Sequence, residues 1–110
     1  MKKMTIDELP GWVPPKHYDL LVRSVVEPSS GVKSFGVGIA RMEKNGRCDP
    51  HVHDNVDQLF VVLKGAMMMK VGDEEFLLKQ GQAVLVSRGE IHNNWNTLGD
   101  GETEYLTVTG

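Results

Sequence analysis

Residues 46–65 read GRCDPHVHDNVDQLFVVLKG, and two features of this stretch bear directly on the fold. The first is the pair His51 and His53, which one residue separates. In an extended strand, side chains at i and i+2 project from the same face, so both imidazoles could reach one ion at about 2.0–2.2 Å. The second is the run 58–63, which is rich in β-branched and aromatic residues and predicts a β-strand.

Short apolar runs separated by turn residues continue on both sides of this stretch. Residues 33–42 alternate between large and small side chains, with Phe35, Val37 and Ile39 on one face and glycine or alanine on the other. Such a period of two indicates strands, and no sustained helical stripe is present beyond a turn near residues 6–9. The predicted strands are residues 18–26, 33–42, 58–63, 66–71, 75–79, 83–86, 91–95 and 104–108. This series of short strands predicts an all-β sandwich or barrel.

The length and the proline distribution predict one domain with an N-terminal arm. A chain of 110 residues fits a single hydrophobic core. Residues 1–17 contain three prolines, which fix φ and remove backbone donors, so this segment is predicted to be an irregular arm before a barrel of residues 18–110. Trp12 should pack on the domain or on a second subunit, because its ring is costly to leave in water. His17 is interpreted as a surface or packing histidine.

Charge and hydropathy exclude several classes of partner. The formal net charge is −3, and the twelve Lys and Arg residues are scattered, whereas binding to nucleic acid needs a basic stripe. No window approaches the 18 apolar residues of a membrane span. Lys2 and Lys3 are not followed by the apolar segment of a secretory signal. We therefore expect a cytoplasmic protein that binds neither nucleic acid nor membrane; Cys48, the only cysteine, excludes an intramolecular disulfide.

A third histidine, His92, follows the turn-forming residues 87–90 and begins another apolar run. A barrel brings distant strand ends together, and imidazole is the commonest metal-binding side chain. The His51 and His53 pair on its own is equally compatible with two surface histidines near a turn.

The spacing around these histidines resembles the two sequence motifs of the cupin family. The first motif is matched by Gly46-x4-His51-x-His53-x4-Gln58-x6-Gly65, and the second by Gly81-x5-Ser87-x-Gly89-x2-His92-x3-Asn96. The resemblance spans residues 46–96 and implies a double-stranded β-helix, or jelly-roll barrel. It also implies that one divalent metal is bound by His51, His53, Gln58 and His92.

The sequence departs from the cupin pattern in three places. The interval between Gly46 and His51 is one residue short, and Ser87 stands where the second motif usually has proline. Gln58 occupies the position of the usual glutamate, as it does in many small cupins. Three imidazoles and a neutral carboxamide would leave the full +2 charge of the ion uncompensated, so it should be a strong Lewis acid that attracts anionic ligands.

The ligand set and its neighbours define the expected site. Imidazole-rich sites suit Zn, Fe, Ni, Mn or Cu, and the sequence does not choose among these five. Side chains with the inward parity of their strands are the candidates for the pocket wall. These are Phe60, Met67, Met69, Asn94, Asn96 and Tyr105.

The resemblance implies two kinds of function. One is a metal-dependent enzyme, of the oxygenase or the sugar or uronate isomerase kind, that acts on a small, anionic, chelating molecule. The other is a non-catalytic module that binds a small molecule or a metal. Relatives that handle unsaturated uronates carry arginine near the C-terminus, and residues 104–110 contain none. Because a small barrel exposes sheet edges, we also expect a homodimer.

Overall fold

Nine β-strands and two short 3-10 helices form the regular structure of the computed structural model, which describes residues 1–97 and 101–110. The 3-10 helices are Ile6–Glu8 and Pro28–Ser30. The strands are β1 (Gly11–Trp12), β2 (His17–Val26), β3 (Gly36–Cys48), β4 (Gln58–Lys64), β5 (Ala66–Val71), β6 (Glu74–Lys79), β7 (Ala83–Val86), β8 (His92–Asn96) and β9 (Thr103–Thr109). No helix among the described residues is long and apolar enough to cross a membrane.

All strand pairs are antiparallel, and the strands follow the order β6-β5-β8-β3-β9-β4-β7. The first half of β3 pairs with β2 and β9, and its end pairs with β8 through Arg47 and Trp95. One long strand therefore belongs to both layers and closes one side of the barrel. The predicted all-β barrel is confirmed.

Strand β3 is six residues longer at its C-terminal end than the predicted strand, which stopped at residue 42. Residues 43–47 contain four polar side chains and a glycine, so their sequence is typical of a loop. In the structure they are held by pairing with β2, where Tyr18 lies opposite Arg47. Gly46 is required inside this strand, because a Cβ there would lie 2.6 Å from the Met42 Cβ and 2.9 Å from the Asp19 carbonyl oxygen.

The N-terminal arm is more regular than predicted. Gly11 and Trp12 pair with Arg23 and Val22 of β2, and His17 is already the first residue of β2. The Trp12 Nε1–H donates to Ser24 Oγ at 3.1 Å, which attaches the arm to the same strand. The prolines restrict the backbone only locally, so two residues of the arm, Gly11 and Trp12, can still pair with β2.

The core lies between the two layers and follows the inward parity of the strands. Phe60 and Val62 of β4 face inward with Gln58, and Met67 and Met69 of β5 are fully buried. The remaining buried apolar side chains of this cluster are Leu20, Ala40, Met42, Leu78, Val86 and Tyr105. Burying each large side chain contributes roughly 1.5–3 kcal/mol. The turn glycines Gly65, Gly81 and Gly89 have φ of 80°, 84° and 84°, which a residue with a Cβ rarely adopts.

Candidate metal centre and adjoining cavity

His51 and His92 are brought together by their own backbones. The His51 N–H donates to the His92 carbonyl and the His92 N–H donates to the His51 carbonyl, both at 2.9 Å. This isolated antiparallel bridge places both side chains on the same side, and their ring centroids are 4.3 Å apart. Because β8 begins at His92, one imidazole of the group stands on a rigid strand.

His53 and Gln58 complete the cluster. The His53 ring centroid lies 5.1 Å from that of His51 and 5.5 Å from that of His92. One ligand atom from each of the three histidines lies within 4.8 Å of the others, and Gln58 Oε1 is 3.2 Å from His92 Nε2. Nitrogens bound to one ion at about 2.1 Å lie about 3.0–3.4 Å apart in tetrahedral or cis octahedral geometry. The three ring nitrogens would therefore move closer together by up to about 1–2 Å to share an ion, a distance that side-chain rotation can cover.

Hydrogen bonds to the backbone select the tautomers of two of these imidazoles. His51 Nδ1 lies 2.9 Å from the Asp49 carbonyl oxygen, and His92 Nδ1 lies 3.0 Å from that of Glu90. A carbonyl oxygen can only accept, so each Nδ1 carries the proton and each Nε2 keeps a lone pair. His92 Nε2 and Gln58 Oε1 then face each other with lone pairs, an arrangement that a shared cation would relieve.

Burial favours the neutral imidazoles that a metal requires. It lowers the pKa of His92 below its ordinary value of 6.5, and repulsion from His51 and His53 acts in the same direction. The hydrogen bond to Glu90 opposes this shift. Burial likewise lowers the pKa of His53. Metal ligands must be deprotonated, so the site is ready for an ion near neutral pH.

A cavity of about 450 Å³ adjoins the cluster, and His51, His53 and Gln58 form part of its wall. Strand β3 contributes Gly36, Val37, Gly38 and Ala40 to this wall, and the small side chains at 36, 38 and 40 create the space. Most of the remaining wall is apolar or carries hydroxyl groups. Further lining residues are Val22, Ser24, Val26, Phe60, Tyr105, Thr107 and Thr109. No carboxylate occurs among the described residues that line the cavity.

The N-terminal arm supplies another part of this wall. Trp12, Pro14, Pro15, Lys16 and His17 all line the cavity. Lys16 is the only lysine, arginine, aspartate or glutamate among the described lining residues.

His17 was interpreted as a surface or packing histidine, and the structure places it in the cavity wall beside His51. Its ring centroid is 5.7 Å from that of His51, and its Nδ1 donates to the Pro15 carbonyl oxygen at 2.8 Å, which leaves a lone pair on Nε2. Burial lowers its pKa. The only local signal was a histidine beside prolines and an isolated tryptophan, because the contact depends on how the arm folds back.

The six predicted pocket residues divide into two groups. Phe60, Asn94 and Tyr105 line the cavity. Met67, Met69 and Asn96 are not among its described lining residues, although all three have the inward parity. Their side chains are used elsewhere in the fold.

The two methionines are in the fully buried core. Asn96 Nδ2 donates to the carbonyl oxygens of Glu43 and Gly101, both at 2.9 Å. Parity decides which face a side chain takes, but its height along the barrel decides whether it reaches the cavity.

Asn94 connects the cavity to a buried thiol. The Cys48 Sγ–H donates to Asn94 Oδ1 at 3.0 Å, and Asn94 Nδ2 lies 3.5 Å from Met67 Sδ. Cys48 is 4% exposed and ends strand β3, so it is neither a loop cysteine nor an accessible thiol. Burial raises the pKa of Cys48 and, more strongly, that of Tyr105, so both side chains stay protonated at neutral pH.

The fold and the histidine cluster agree with a comparison to protein families. A model of the cupin domain matches residues 38–109. The chain belongs to the cupin family. A comparison with curated protein sequences finds no significant match.

Solved structures resemble this cupin over nearly its whole length. The polyketide cyclase RemF from Streptomyces resistomycificus has a TM-score of 0.88 at 22% identity, covering 99% of this chain and 78% of that one. A predicted oxalate decarboxylase from Thermotoga maritima has a TM-score of 0.85 at 14% identity, covering 98% and 97%. A sugar phosphate isomerase from Silicibacter pomeroyi has a TM-score of 0.80 at 18% identity, covering 98% and 74%. At these identities the likeness establishes the fold alone.

Proposed function

We propose that this cupin is a metal-dependent enzyme in which His51, His53, Gln58 and His92 hold one divalent transition metal beside a largely apolar substrate cavity. The observation that carries this proposal is the convergence of the three imidazoles and one carboxamide on a single point next to that cavity. Imidazole donors suit Zn, Fe, Ni, Mn or Cu better than Ca or Mg.

The cavity wall supports a substrate that is mostly apolar and carries chelating oxygens. A dicarboxylate would need several cationic partners, whereas Lys16 is the only lysine or arginine among the described lining residues. The uncompensated +2 charge favours an anionic donor at the metal itself. A β-diketone or a phenol meets both conditions, because it is apolar over most of its surface and anionic only at its deprotonated oxygens.

The names of the structural neighbours cover several reactions, and one of them agrees with this substrate class. RemF is a polyketide cyclase, and a polyketide is a chain of repeated carbonyl groups. The decarboxylase and the isomerase named among the neighbours act on more polar compounds. The apolar wall therefore supports carbonyl chemistry of the cyclase kind over sugar isomerisation.

Bound at this site, a divalent metal supplies Lewis acidity that polarises a carbonyl oxygen and acidifies the neighbouring C–H bond. The side chains of the cavity have separate roles. His17, with its free Nε2 lone pair, is positioned to accept a proton from the substrate. Tyr105, which stays protonated, can donate a hydrogen bond to a substrate oxygen.

Metal analysis of purified protein tests the first part of the proposal. We expect close to one transition metal per chain in the wild type, and none in a His51→Ala, His92→Ala double variant. Asn93→Ala is the matched control, because Asn93 lies next to His92 with the opposite parity on β8. Unchanged metal content in the double variant would overturn the proposed site.

Incubation of the metal-loaded protein with an aryl β-diketone tests the second part. Mass spectrometry should detect product, which His17→Gln should reduce while the metal content is retained. Oxygen consumption would assign the oxygenase class, and product without oxygen uptake would assign Lewis-acid chemistry. Binding without turnover would identify the non-catalytic module instead.

A further inference from the structure

The turn that precedes His92 is held by a carboxylate from outside the turn. Asp57 Oδ1 accepts from the Arg88 backbone N–H at 2.9 Å and from Arg88 Nε at 3.2 Å, and Asp57 Oδ2 accepts from Arg88 Nη2 at 3.0 Å. One carboxylate therefore fixes both the backbone and the side chain of Arg88. Paired hydrogen bonds of this kind restrict orientation as well as separation.

The same turn is bonded to the loop between His53 and Gln58. Asp57 directly precedes Gln58, which is the first residue of β4. The Gly89 N–H donates to the His53 carbonyl oxygen at 2.8 Å, and Gly89 has a φ of 84°, which a residue with a Cβ rarely adopts. The loop that separates these two candidate ligands is therefore bonded to the turn at each of its ends.

Glu90 connects the turn to His92. Its Oε1 accepts from the Ser87 backbone N–H at 2.8 Å, and its own N–H donates to the Ser87 carbonyl oxygen at 3.1 Å. Its carbonyl oxygen accepts from His92 Nδ1 at 3.0 Å. The residue that selects the tautomer of His92 is thus the one that closes the turn. A proline at position 87 has no N–H and could not make the first of these bonds.

We call Asp57, Ser87, Arg88 and Glu90 the turn clamp. We propose that the turn clamp fixes the direction of the His92 imidazole relative to His53 and Gln58, and so sets the affinity of the metal centre. This role rests on the proposed function, because the clamp acts on the ion only through the position of His92. Its members are positioning residues and not ligands.

The exposure of the ion pair separates orientation from stability. The side chains of Arg88 and Asp57 are 55% and 43% exposed, and an ion pair in contact with water adds little to the free energy of unfolding. Replacing either residue should therefore leave a folded protein with a looser metal centre, and circular dichroism checks the fold. Removing groups that support metal ligands typically lowers the affinity for the metal by about 10–100-fold.

Calorimetric titration of the metal-free protein with Zn tests the turn clamp. We expect the dissociation constant of Zn to rise about 10-fold in both Asp57→Ala and Arg88→Ala. Charge alone would act in opposite directions, because the first variant removes a negative charge near the ion and the second removes a positive one. Tighter binding of Zn by Arg88→Ala would overturn the proposal.

Arg41→Ala is the matched control for the loss of an ion pair. Arg41 pairs with Glu104 at 3.2 Å, and its side chain is 38% exposed. Glu104 lies opposite Lys64, the last residue of β4, about 20 Å along that strand from Gln58. The dissociation constant of Zn should be unchanged in this variant. An equal rise would assign the effect to the general loss of an ion pair and refute the turn clamp.

Substitutions of Glu90 separate its hydrogen bond from its charge. Glu90→Gln removes the charge but keeps an oxygen that can accept from the Ser87 N–H, so Zn affinity should stay close to that of the wild type. Glu90→Ala removes both and should bind Zn about 10-fold more weakly. Equal weakening in the two variants would show that charge is responsible and would contradict the proposal.

Nitrogen NMR of the metal-free protein tests the turn clamp without any ion. At about pH 8, where imidazoles are neutral, His92 should be a single Nδ1–H tautomer in the wild type and a mixture of tautomers in Asp57→Ala and Glu90→Ala. A single tautomer and unchanged Zn affinity in both variants would overturn the clamp and leave the proposed function intact. A wild type that binds no metal, with mixed tautomers in the variants, would support the clamp's action on His92 and overturn the proposed function.

Discussion

Replacing Gln58 by glutamate tests the geometry of the candidate metal centre without removing any ligand. Gln58 Oε1 is 3.2 Å from His92 Nε2, so the substitution places a carboxylate beside an imidazole whose pKa is lowered by burial. An opposite charge at this distance favours the imidazolium and shifts a pKa by about 1–3 units. At about 1.36 kcal/mol per unit, the expected stabilisation of charged His92 is roughly 1.4–4 kcal/mol.

The assay is a proton NMR titration of the histidine ring protons in metal-free protein, with His92 assigned by its loss in His92→Gln. We expect the pKa of His92 to rise by at least one unit in Gln58→Glu. Gln82→Glu is the control, because Gln82 accepts from the Lys79 backbone N–H at a turn. An unchanged pKa of His92 in Gln58→Glu would show that the side chains of residues 58 and 92 are not in contact. That result would contradict the proposed set of four metal ligands.

The same variant should bind divalent metal more tightly. The added charge compensates half of the +2 charge, and the charge of the ligand set tunes affinity. Competition with a chromophoric chelator should give a dissociation constant at least ~10-fold lower than that of the wild type, with the largest gain for Mn. A weaker or equal constant would argue against direct coordination by residue 58.

Three further outcomes follow from burial. The metal-free protein should lose stability as the pH falls below about 6.5. The pKa values of His53 and His92 are lowered in the folded state, so the unfolded chain binds protons at a higher pH than the folded chain does. Melting temperatures measured in the presence of a chelator should therefore decline less steeply with falling pH in His92→Gln than in the wild type. Cys48, which is 4% exposed and has a raised pKa, should resist a thiol reagent at mild alkaline pH and react fully in urea. Met69→Ala should cost about 2–5 kcal/mol in urea unfolding, since Met69 is fully buried, whereas Met68→Ala on the opposite face should cost clearly less; equal losses would contradict the assigned parity.

Parity within strands was readable from the sequence, and position along the barrel was not. The inward parity predicted for Phe60 is confirmed, and Val62 is buried with it, because successive side chains of a strand must take opposite faces. Met67 and Met69 obey the same rule and are buried, yet they lie in the core and not among the described residues of the cavity wall. Their height is decided by pairing with β8, where Met67 lies opposite Asn96.

The N-terminal arm and the C-terminal end of β3 have structures that the local sequence pattern did not predict. The polar composition of residues 43–47 resembled a loop, and the prolines near His17 resembled an irregular arm. Both segments are organised by β2, which pairs His17 with Cys48 and Tyr18 with Arg47. Backbone hydrogen bonds between distant strands do not depend on side-chain identity, so they produce no periodic pattern in the sequence of either strand.

The two motifs within residues 46–96 by themselves determined the family resemblance, and the stretch 46–65 determined the strand that carries Gln58 and the pair His51 and His53 as candidate ligands, because spacing and period are local properties. Only the tertiary structure decided that His92 bridges to His51, that His17 joins the cavity and that Asn96 stays away from it. The contacts of His51 with His92 and His17 join residues more than 30 positions apart, and closure of the barrel sets their distances.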